Sequence, residues 1–287
     1  MTDPAGRTAS VIEGTFHGLG GEELHHRIWR PSRDRVATVV LAHGLAEHSG
    51  RYDYVGRRLA AEGYEVWALD HRGHGLSGGP RAHVDRFDVF VADLETLRLL
   101  AADANGDAQF VLGHSMGGAI AVAHALAHPA AWAGMVLTGP ALAAEDVSRV
   151  VEVAGRALAR LRPRTGVLQL DASAISRDPE VVRAYEEDPL VHRGKASARL
   201  AAELLDRMAT TARLAGDVRV PVLVVQGSED RLVSPEGNRA VFEAFGSADR
   251  TWSDRPGAYH EVMNEPDRDE VLDEIVAWLV ARTPTAA

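Results

Sequence analysis

The pentapeptide Gly113-His114-Ser115-Met116-Gly117 separates two stretches of different pattern, and it decides the fold. The apolar run 109–112 before it is typical of a short buried strand, and the small residues from Gly118 onward predict a helix. Ser115 is therefore predicted to lie on a sharp strand-to-helix turn, where the neighbouring glycines permit close approaches that a Cβ forbids. Because Gly-x-Ser-x-Gly also fits turns without a catalytic role, the rest of the chain must support a catalytic interpretation.

Length, composition and charge restrict the class of protein. The chain has 287 residues, of which 46% are hydrophobic and 25% are charged, as in an ordinary globular protein with room for one α/β domain and an insertion. A formal net charge of −10 argues against a nucleic-acid partner, because phosphates require a basic surface. The absence of cysteine excludes a thiolate nucleophile, disulfides and cysteine-ligated metals.

The sequence predicts neither a membrane span nor a signal peptide. No apolar run approaches the roughly eighteen residues that a transmembrane helix needs. Residues 1–10 include the acidic Asp3 and have no apolar core. We therefore expect a cytoplasmic protein that can make peripheral membrane contact.

Strand and helix patterns alternate along most of the chain, which predicts an α/β fold with a mostly parallel central sheet flanked by helices. The predicted strands are 11–17, 22–29, 36–42, 65–69, 109–112, 134–138, 222–226 and 250–252, and the predicted helices are 52–62, 84–102, 234–245 and 268–282. The alternation is interrupted after Pro140 by about eighty residues with helical patterns and no strand candidate. We interpret residues 141–215 as an inserted helical cap (lid) and residues 1–140 and 216–287 as the core.

Two residues beyond later strands complete a catalytic set with Ser115. Asp230 follows the strand 222–226, and His260 lies in the loop between the last strand and the last helix. The carboxyl ends of parallel strands are where open α/β sheets place their sites. The order Ser, Asp, His is that of α/β-hydrolases, in which the histidine takes the serine proton and the aspartate orients the histidine. Glu229 is a less favoured alternative acid.

The other loop histidines compete less well for the role of the base, because each lies before or within the turn at Ser115. They are His43, His48, His83 and His114, and we expect them to support loops. Hydrolysis also requires donors for the oxyanion. In this fold they are main-chain N–H groups, here predicted to be those of Met116 and Leu45.

The segment 70–78, Asp-His-Arg-Gly-His-Gly-Leu-Ser-Gly, contains two histidines three residues apart. Such spacing occurs in metal sites, but the high content of glycine and serine favours a structured turn. We predict no metal and no cofactor.

Several segments together resemble the monoacylglycerol lipases of the serine α/β-hydrolase superfamily, particularly the bacterial, actinobacterial-type members. The segments are 43–52 (His-Gly-Leu-Ala-Glu-His-Ser-Gly-Arg-Tyr), 70–77, 113–118, 227–233 and 259–261, with 175–179 and 185–190 in the cap. This resemblance implies the α/β-hydrolase fold and cleavage of monoacylglycerol, a neutral lipid ester, through an acyl-enzyme. It also implies that Glu47 and Arg51 lie near the glycerol head group and that Tyr185 approaches from the cap. Met263 departs from some animal members, which have histidine there.

Three other functions remain open at this point. A lysophospholipase or a broad carboxylesterase would use the same Ser115, Asp230 and His260. An α/β-hydrolase fold can also serve as a non-catalytic binding protein, although such proteins tend to have lost a member of the triad. Haloalkane dehalogenases and epoxide hydrolases need an aspartate nucleophile, so Ser115 argues against them.

A helix predicted from Asp146 onward is amphipathic and basic. Its apolar face is expected to line an acyl tunnel and its basic face to contact anionic lipid. The equally weighted alternative is that the apolar face packs on the core and the arginines are solvated. The apolar residues are Val147, Val150, Val151, Ala154, Leu158 and Leu161, and the arginines are Arg149, Arg156, Arg160, Arg162 and Arg164.

Overall fold

The structure, a computed structural model, describes residues 9–106, 108–143 and 149–284, with the backbone alone for 149–153. The strands are β1 (Ser10–His17), β2 (Glu23–Arg30), β3 (Ala37–Ala42), β4 (Tyr64–Leu69), β5 (Gln109–His114), β6 (Gly134–Thr138), β7 (Gly166–Leu168), β8 (Ala196–Ser197), β9 (Val222–Gly227) and β10 (Arg250–Arg255). The helices are α1 (Asp53–Ala61), α2 (Asp88–Asn105), α3 (Met116–Ala127), α4 (Arg149–Leu161), α5 (Pro179–Glu187), α6 (Ala198–Leu214), α7 (Pro235–Glu243) and α8 (Arg268–Val280).

Eight of the strands form one sheet in the order β1-β2-β4-β3-β5-β6-β9-β10. The opening hairpin β1–β2 is antiparallel and β2 also pairs antiparallel with β4, whereas every pair from β4 to β10 is parallel. The prediction of an α/β-hydrolase fold with a mostly parallel sheet is confirmed. Because the parallel strands end at the same edge, the loops after β3, β5, β9 and β10 meet there.

The sheet is covered on both faces, which explains why its central strands are continuously apolar. In β3, Val40 packs in the cluster with α2 and α3, whereas Val39 and Leu41 pack in the cluster with α1 and α8. All six residues of β3 are buried, and so are those of β5 and β9. Successive side chains of a strand point to opposite faces, so full burial requires helices on both.

Between β6 and β9 the described chain forms α4, β7, α5, β8 and α6. The prediction that this segment contains no strand is wrong: β7 and β8 form a small antiparallel sheet that pairs Gly166 with Ser197 and Leu168 with Ala196. Strands of three and two residues are too short to show an alternating pattern. The long helix α6 begins where the Ser197 side chain accepts a hydrogen bond from the Leu200 N–H.

Two predicted boundaries also need correction. Helix α2 begins at Asp88, although the apolar pattern begins at Val84, because Val84 and Phe87 are buried from the preceding loop instead. Strand β10 continues through Asp254 to Arg255, beyond the predicted end at Trp252. It is an edge strand, so polar residues can occupy it without being buried.

No helix in the described part of the chain combines the length and apolar character that crossing a bilayer requires.

Candidate active site

The turn between β5 and α3 holds Ser115 in a strained backbone conformation. Its φ is 52° and its ψ is −119°, a region that residues with a side chain rarely adopt. Two glycines make this turn possible. A Cβ at Gly117 would lie 2.0 Å from the Ala42 carbonyl oxygen, and one at Gly113 would lie 2.6 Å from the Gly117 carbonyl oxygen. Ser115 therefore sits at the sheet edge with its side chain on the floor of a cavity.

His260 lies beside this serine and is held by Asp230. The His260 Nδ1 and an oxygen of Asp230 are 2.8 Å apart, and both side chains are buried. The second Asp230 oxygen accepts hydrogen bonds from the main-chain N–H groups of Leu232 and Val233. Because an ionised carboxylate only accepts, Nδ1 carries the ring proton and Nε2 is left as the basic nitrogen. This is the arrangement needed to accept a proton from a serine hydroxyl.

The pKa of His260 is raised and that of Asp230 is lowered. Burial opposes the charged form of His260, but the Asp230 carboxylate outweighs it and raises the pKa of the imidazole. Burial likewise opposes ionisation of Asp230, yet His260 and the two main-chain donors lower its pKa. The pair thus favours an ionised Asp230 and makes His260 a stronger base than a free imidazole.

The other predicted candidates lie elsewhere. Glu229 is exposed at the rim of the cavity, and Asp230, not Glu229, contacts His260. The four remaining histidines bond to neighbouring loops. His43 accepts from the His71 N–H, His48 bonds to Asp188, His83 bonds to Ser197, and His114 bonds to Thr138.

The loop after β3 presents Leu45 opposite Met116, and both residues line the cavity at Ser115. Within the described ranges, the main-chain N–H groups of Leu45 and Met116 donate to no protein acceptor. The loop is held by Glu47, whose Oε1 accepts from the Gly44 N–H at 2.6 Å. Ala46, which follows Leu45, has a positive φ of 69°. Its carbonyl accepts a hydrogen bond from the N–H of His192, in the segment between β6 and β9.

A large cavity with a volume of about 580 Å³ extends from Ser115 on one side. Its apolar lining comes mainly from the segment between β6 and β9, and residues 228–236, after β9, supply most of its polar lining. The apolar lining consists of Leu45, Met116, Ala141, Ala143, Leu168, Leu170, Ala201, Leu204, Leu205, Met208, Leu232 and Val233. The volume and the apolar character suit an extended hydrophobic ligand.

A small cavity with a volume of about 10 Å³ adjoins the large one, with Tyr185 in its wall. The residues that line both cavities are Leu45, Ser115, Leu170, Leu232 and His260. Two buried carboxylates, Glu47 and Glu261, border the small cavity. Its lining also includes Leu170, Ile175 and Leu232, so buried carboxylates and apolar side chains border it together.

Arg51 joins these two carboxylates. Its Nη1 donates to Glu47 and to Glu261 at 2.7 Å each, and its Nη2 donates to Glu261 at 2.8 Å. Burial opposes ionisation of Glu47, but Arg51 outweighs it and lowers the pKa of Glu47 to about 2. The same competition lowers the pKa of Glu261. Tyr185 covers the guanidinium, with its ring centroid 4.7 Å from Cζ.

The helix predicted from Asp146 onward is present as α4 (Arg149–Leu161), but its apolar face does not have the predicted role. The described residues of α4 line neither of the two cavities, so the expectation that its apolar face lines an acyl tunnel is wrong for them, and α6 supplies that wall instead. Leu161 is 81% exposed, so it does not pack on the core either. Val147 and the side chains of Arg149, Val150 and Val151 lie outside the described residues.

One cluster in the described ranges has the spacing of a metal site: Glu95, His124 and His128, whose potential ligand atoms lie within 4.8 Å of one another. His124 is already engaged at both nitrogens. Its Nδ1 accepts from the Trp132 indole, so Nε2 carries the proton and donates to Glu95. Burial lowers the pKa of His124 to about 4. The hydrogen bond between His124 and Glu95 connects α3 to α2.

Sequence reasoning missed two residues that hold the site. Gln226 donates to the Asp230 oxygen that faces His260, at 2.9 Å. Glu261 follows His260 directly and binds Arg51, which is 210 residues away in the chain. An acid beside the predicted base was a visible signal, but its partner was not, because the two loops meet only in the folded sheet.

Comparison with known proteins places this geometry among hydrolases. The family model described as serine aminopeptidase, S33, matches residues 33–267. The chain is 44% identical to a monoacylglycerol lipase of Mycolicibacterium smegmatis over 94% of this chain and 97% of the relative. It is 37% identical to the human monoglyceride lipase over 93% and 89%, respectively. The crystal structure of the Paleococcus ferrophilus monoacylglycerol lipase superposes with a TM-score of 0.80 at 32% identity, covering 95% of this chain and 99% of that one.

Proposed function

The chain belongs to the family described as serine aminopeptidase, S33, and from its similarity to monoacylglycerol lipases we propose that it hydrolyses monoacylglycerols to a free fatty acid and glycerol. One observation supports this substrate most directly: a large apolar cavity and a small cavity bordered by two buried carboxylates meet at Ser115 and His260. A monoacylglycerol has the same division, with an apolar chain and a small polar alcohol on either side of the ester. The ester carbonyl would then lie at Ser115.

In the first half of the reaction, Ser115 Oγ attacks the ester carbonyl while His260 Nε2 takes its proton. The imidazolium that forms is stabilised by Asp230. The negative oxygen of the tetrahedral intermediate accepts hydrogen bonds from the N–H groups of Leu45 and Met116, and losing one such donor typically costs about a hundredfold to a thousandfold in rate. As the intermediate collapses, His260 returns the proton to the departing glycerol oxygen.

In the second half, water replaces the alcohol. His260 takes a proton from this water as it attacks the acyl-enzyme, and then returns that proton to Ser115 as the fatty acid leaves. The large cavity holds the acyl chain through both steps. Each methylene buried there contributes about 0.8 kcal/mol, so chains long enough to fill the cavity gain most.

A substrate panel tests this proposal. We expect monoacylglycerols to be cleaved with a higher kcat/KM than diacylglycerols or lysophospholipids with the same acyl chain, because the small cavity borders a buried network that leaves little room for a larger alcohol. Equal or faster cleavage of the lysophospholipid would instead identify a lysophospholipase, and preference for short-chain simple esters would identify a broad carboxylesterase. Ser115→Ala is the matched control for background hydrolysis.

We further propose that residues 141–215 act as a cap that controls access to the large cavity. Leu168, Leu204 and Met208 belong to this segment and line the cavity. Segments that cover a site commonly gate it. Hydrogen exchange in α4 and α6 should be faster than in β3, and equally slow exchange would argue against gating by this segment.

Peripheral membrane contact through α4 is also part of the proposal. Arg160, Arg162 and Arg164 are exposed close to Leu161, whereas Arg156 is paired with Asp206 at 2.6 Å. Near an anionic bilayer each arginine contributes about 1 kcal/mol within a Debye length of about 8 Å, while the distant acidic residues are largely screened. An exposed leucine between arginines adds an apolar contact.

Changing Arg160, Arg162 and Arg164 to glutamine should weaken binding to anionic vesicles at low salt. Hydrolysis of a short dissolved ester should be unchanged. A control variant with glutamine at the exposed Arg86, Arg183 and Arg213 has the same net charge and should bind as the unmodified enzyme does. Equal vesicle binding by all three proteins would leave these arginines as a solvated surface.

A further inference from the structure

We propose that the enzyme selects against esters whose alcohol carries a negative charge, because uncompensated buried carboxylate charge borders the small cavity. This inference deepens the proposed function and rests on its assignment of the alcohol to that side of Ser115. It divides substrates with the same acyl chain by the charge of the alcohol.

The charge count at the small cavity is negative. Glu47 and Glu261 both border it, and the pKa of each is lowered by Arg51, so both are ionised at neutral pH. The single guanidinium between them leaves a formal charge of −1. The other titratable groups that line this cavity are His114, His260 and Tyr185. Burial and the neighbouring His260 lower the pKa of His114, and burial with Glu47 raises that of Tyr185, so neither adds positive charge. Positive charge on His260 is balanced by the carboxylate of its partner Asp230.

Arg51 is not free to bind an anion. Phosphates and carboxylates are usually recognised by the planar fork of an arginine, through two parallel N–H donors. Here three of the five N–H donors already bind Glu47 and Glu261, and the ring of Tyr185 covers the face of the guanidinium, so most of the group is engaged. An anionic alcohol would have to displace a carboxylate that is itself buried.

The small cavity also prevents an anion from keeping its water. Its volume of about 10 Å³ is about the space of a single water molecule, so it admits one hydroxyl of the alcohol and not the whole glycerol. A neutral glycerol hydroxyl can exchange its hydrogen bond to water for one to a carboxylate. A phosphate or carboxylate would lose its hydration and meet like charge, which is costly in a buried site.

The groups beyond Tyr185 do not offset the negative charge at the small cavity. A third cavity of about 500 Å³ lies there and shares Leu170 and Tyr185 with the small cavity. Its lining includes Arg193, but also Asp171 and Glu186. The Arg193 Nη1 donates to the Glu186 carbonyl. An anionic group that extended past Tyr185 would therefore meet two carboxylates and one guanidinium.

The experiment compares three octanoyl esters of matched chain length, whose alcohols are glycerol, glycerate and glycerol 3-phosphate. Values of kcat/KM are measured at substrate concentrations below those at which the esters aggregate. Each value is divided by the rate at which hydroxide hydrolyses the same ester, which removes differences in the intrinsic reactivity of the three esters. We expect the glycerol ester to be preferred by about tenfold to a hundredfold over glycerate, the factor for one charge several ångströms away at an effective dielectric constant of about 20. The phosphate ester should be discriminated against at least as strongly.

Two substitutions separate charge from shape. Glu261→Gln removes one charge and should reduce the preference for glycerol over glycerate about tenfold, even if it slows all three substrates. Glu261→Asp keeps the charge and should keep the preference. Glu47→Gln provides a second neutralising variant if Glu261→Gln does not fold. Glu187→Gln, at an exposed position on α5 outside the cavities described above, should leave the preference unchanged.

Two results would overturn the inference: equal normalised rates for the glycerol and glycerate esters in the unmodified enzyme, or an unchanged preference in both neutralising variants. Failure of the proposed function gives a different result, because it shows in the substrate panel as preference for the lysophospholipid or for short simple esters, whereas the inference is judged by the ratio of glycerol to glycerate ester and its response to the neutralising variants.

Discussion

The two cavities that meet at Ser115 are built by opposite means. The wall of the large cavity is made of many apolar side chains, each replaceable by another of similar volume. The wall of the small cavity depends on a few buried charged atoms, with Glu47, Arg51 and Glu261 each bonded to a specific partner. From this difference we expect substitutions in the wall of the large cavity to have small, graded effects. Substitutions in the charged network beside the small cavity should have large effects.

The largest loss of activity is expected from substitution of Ser115 and His260, which line both cavities. Ser115→Ala and His260→Ala should each fold normally and lose about 10⁶-fold in kcat, and the double variant should be no worse, because triad members act as a unit. Loss of labelling by a fluorophosphonate probe measures the nucleophile directly. Turnover near that of the unmodified enzyme in either variant would refute the assignment of the triad.

Asp230→Asn should come next, with a loss of about 10⁴-fold, because the histidine loses the partner that fixes its tautomer. The pH profile gives an independent measure. Since Asp230 raises the pKa of His260, kcat/KM of the unmodified enzyme should fall as pH drops through a value above 6.5. In the variant that acid limb should move to lower pH. An unmoved limb would mean that another group titrates.

On the alcohol side, Arg51→Met should destabilise the fold by about 3–5 kcal/mol, because it leaves Glu47 and Glu261 buried without their shared partner. Urea denaturation measures this difference. The control is Arg183→Met, which removes an exposed arginine from its pair with Glu180 on α5 and should change stability little. Similar effects of the two substitutions would show that the buried network is not a distinctive feature of this wall.

The smallest effect is expected on the acyl side. Met208→Trp should shorten the space for the chain by about two methylenes, and at about 0.8 kcal/mol each this lowers kcat/KM for long-chain monoacylglycerols roughly tenfold. Butanoyl esters, which do not extend that far, should be unaffected. Leu214→Trp, at an exposed position near the end of the same helix, should change neither. A uniform loss across chain lengths would place Met208 outside the acyl path.

Sequence patterns predicted the sheet and the contact between Asp230 and His260 better than they predicted the cavity walls. Strand β6 has its predicted ends, and Asp230 and His260 meet as their positions after strand ends required. The pairing of Arg51 with Glu261 depends on how two loops fold over the same sheet edge, and no local pattern contains that distance. The exposure of Leu161 was also invisible, because an amphipathic pattern identifies a face but not what covers it.

The strained backbone of Ser115 has a consequence for evolution. A residue with a side chain held at φ 52° costs about 1–3 kcal/mol of folding stability, which is a considerable share of the 5–15 kcal/mol of a typical domain. Glycine would relieve that cost, so selection for robustness alone would favour losing the nucleophile. The serine persists only while catalysis is selected. A descendant released from that selection is therefore expected to become more heat-resistant at this position as it becomes inactive.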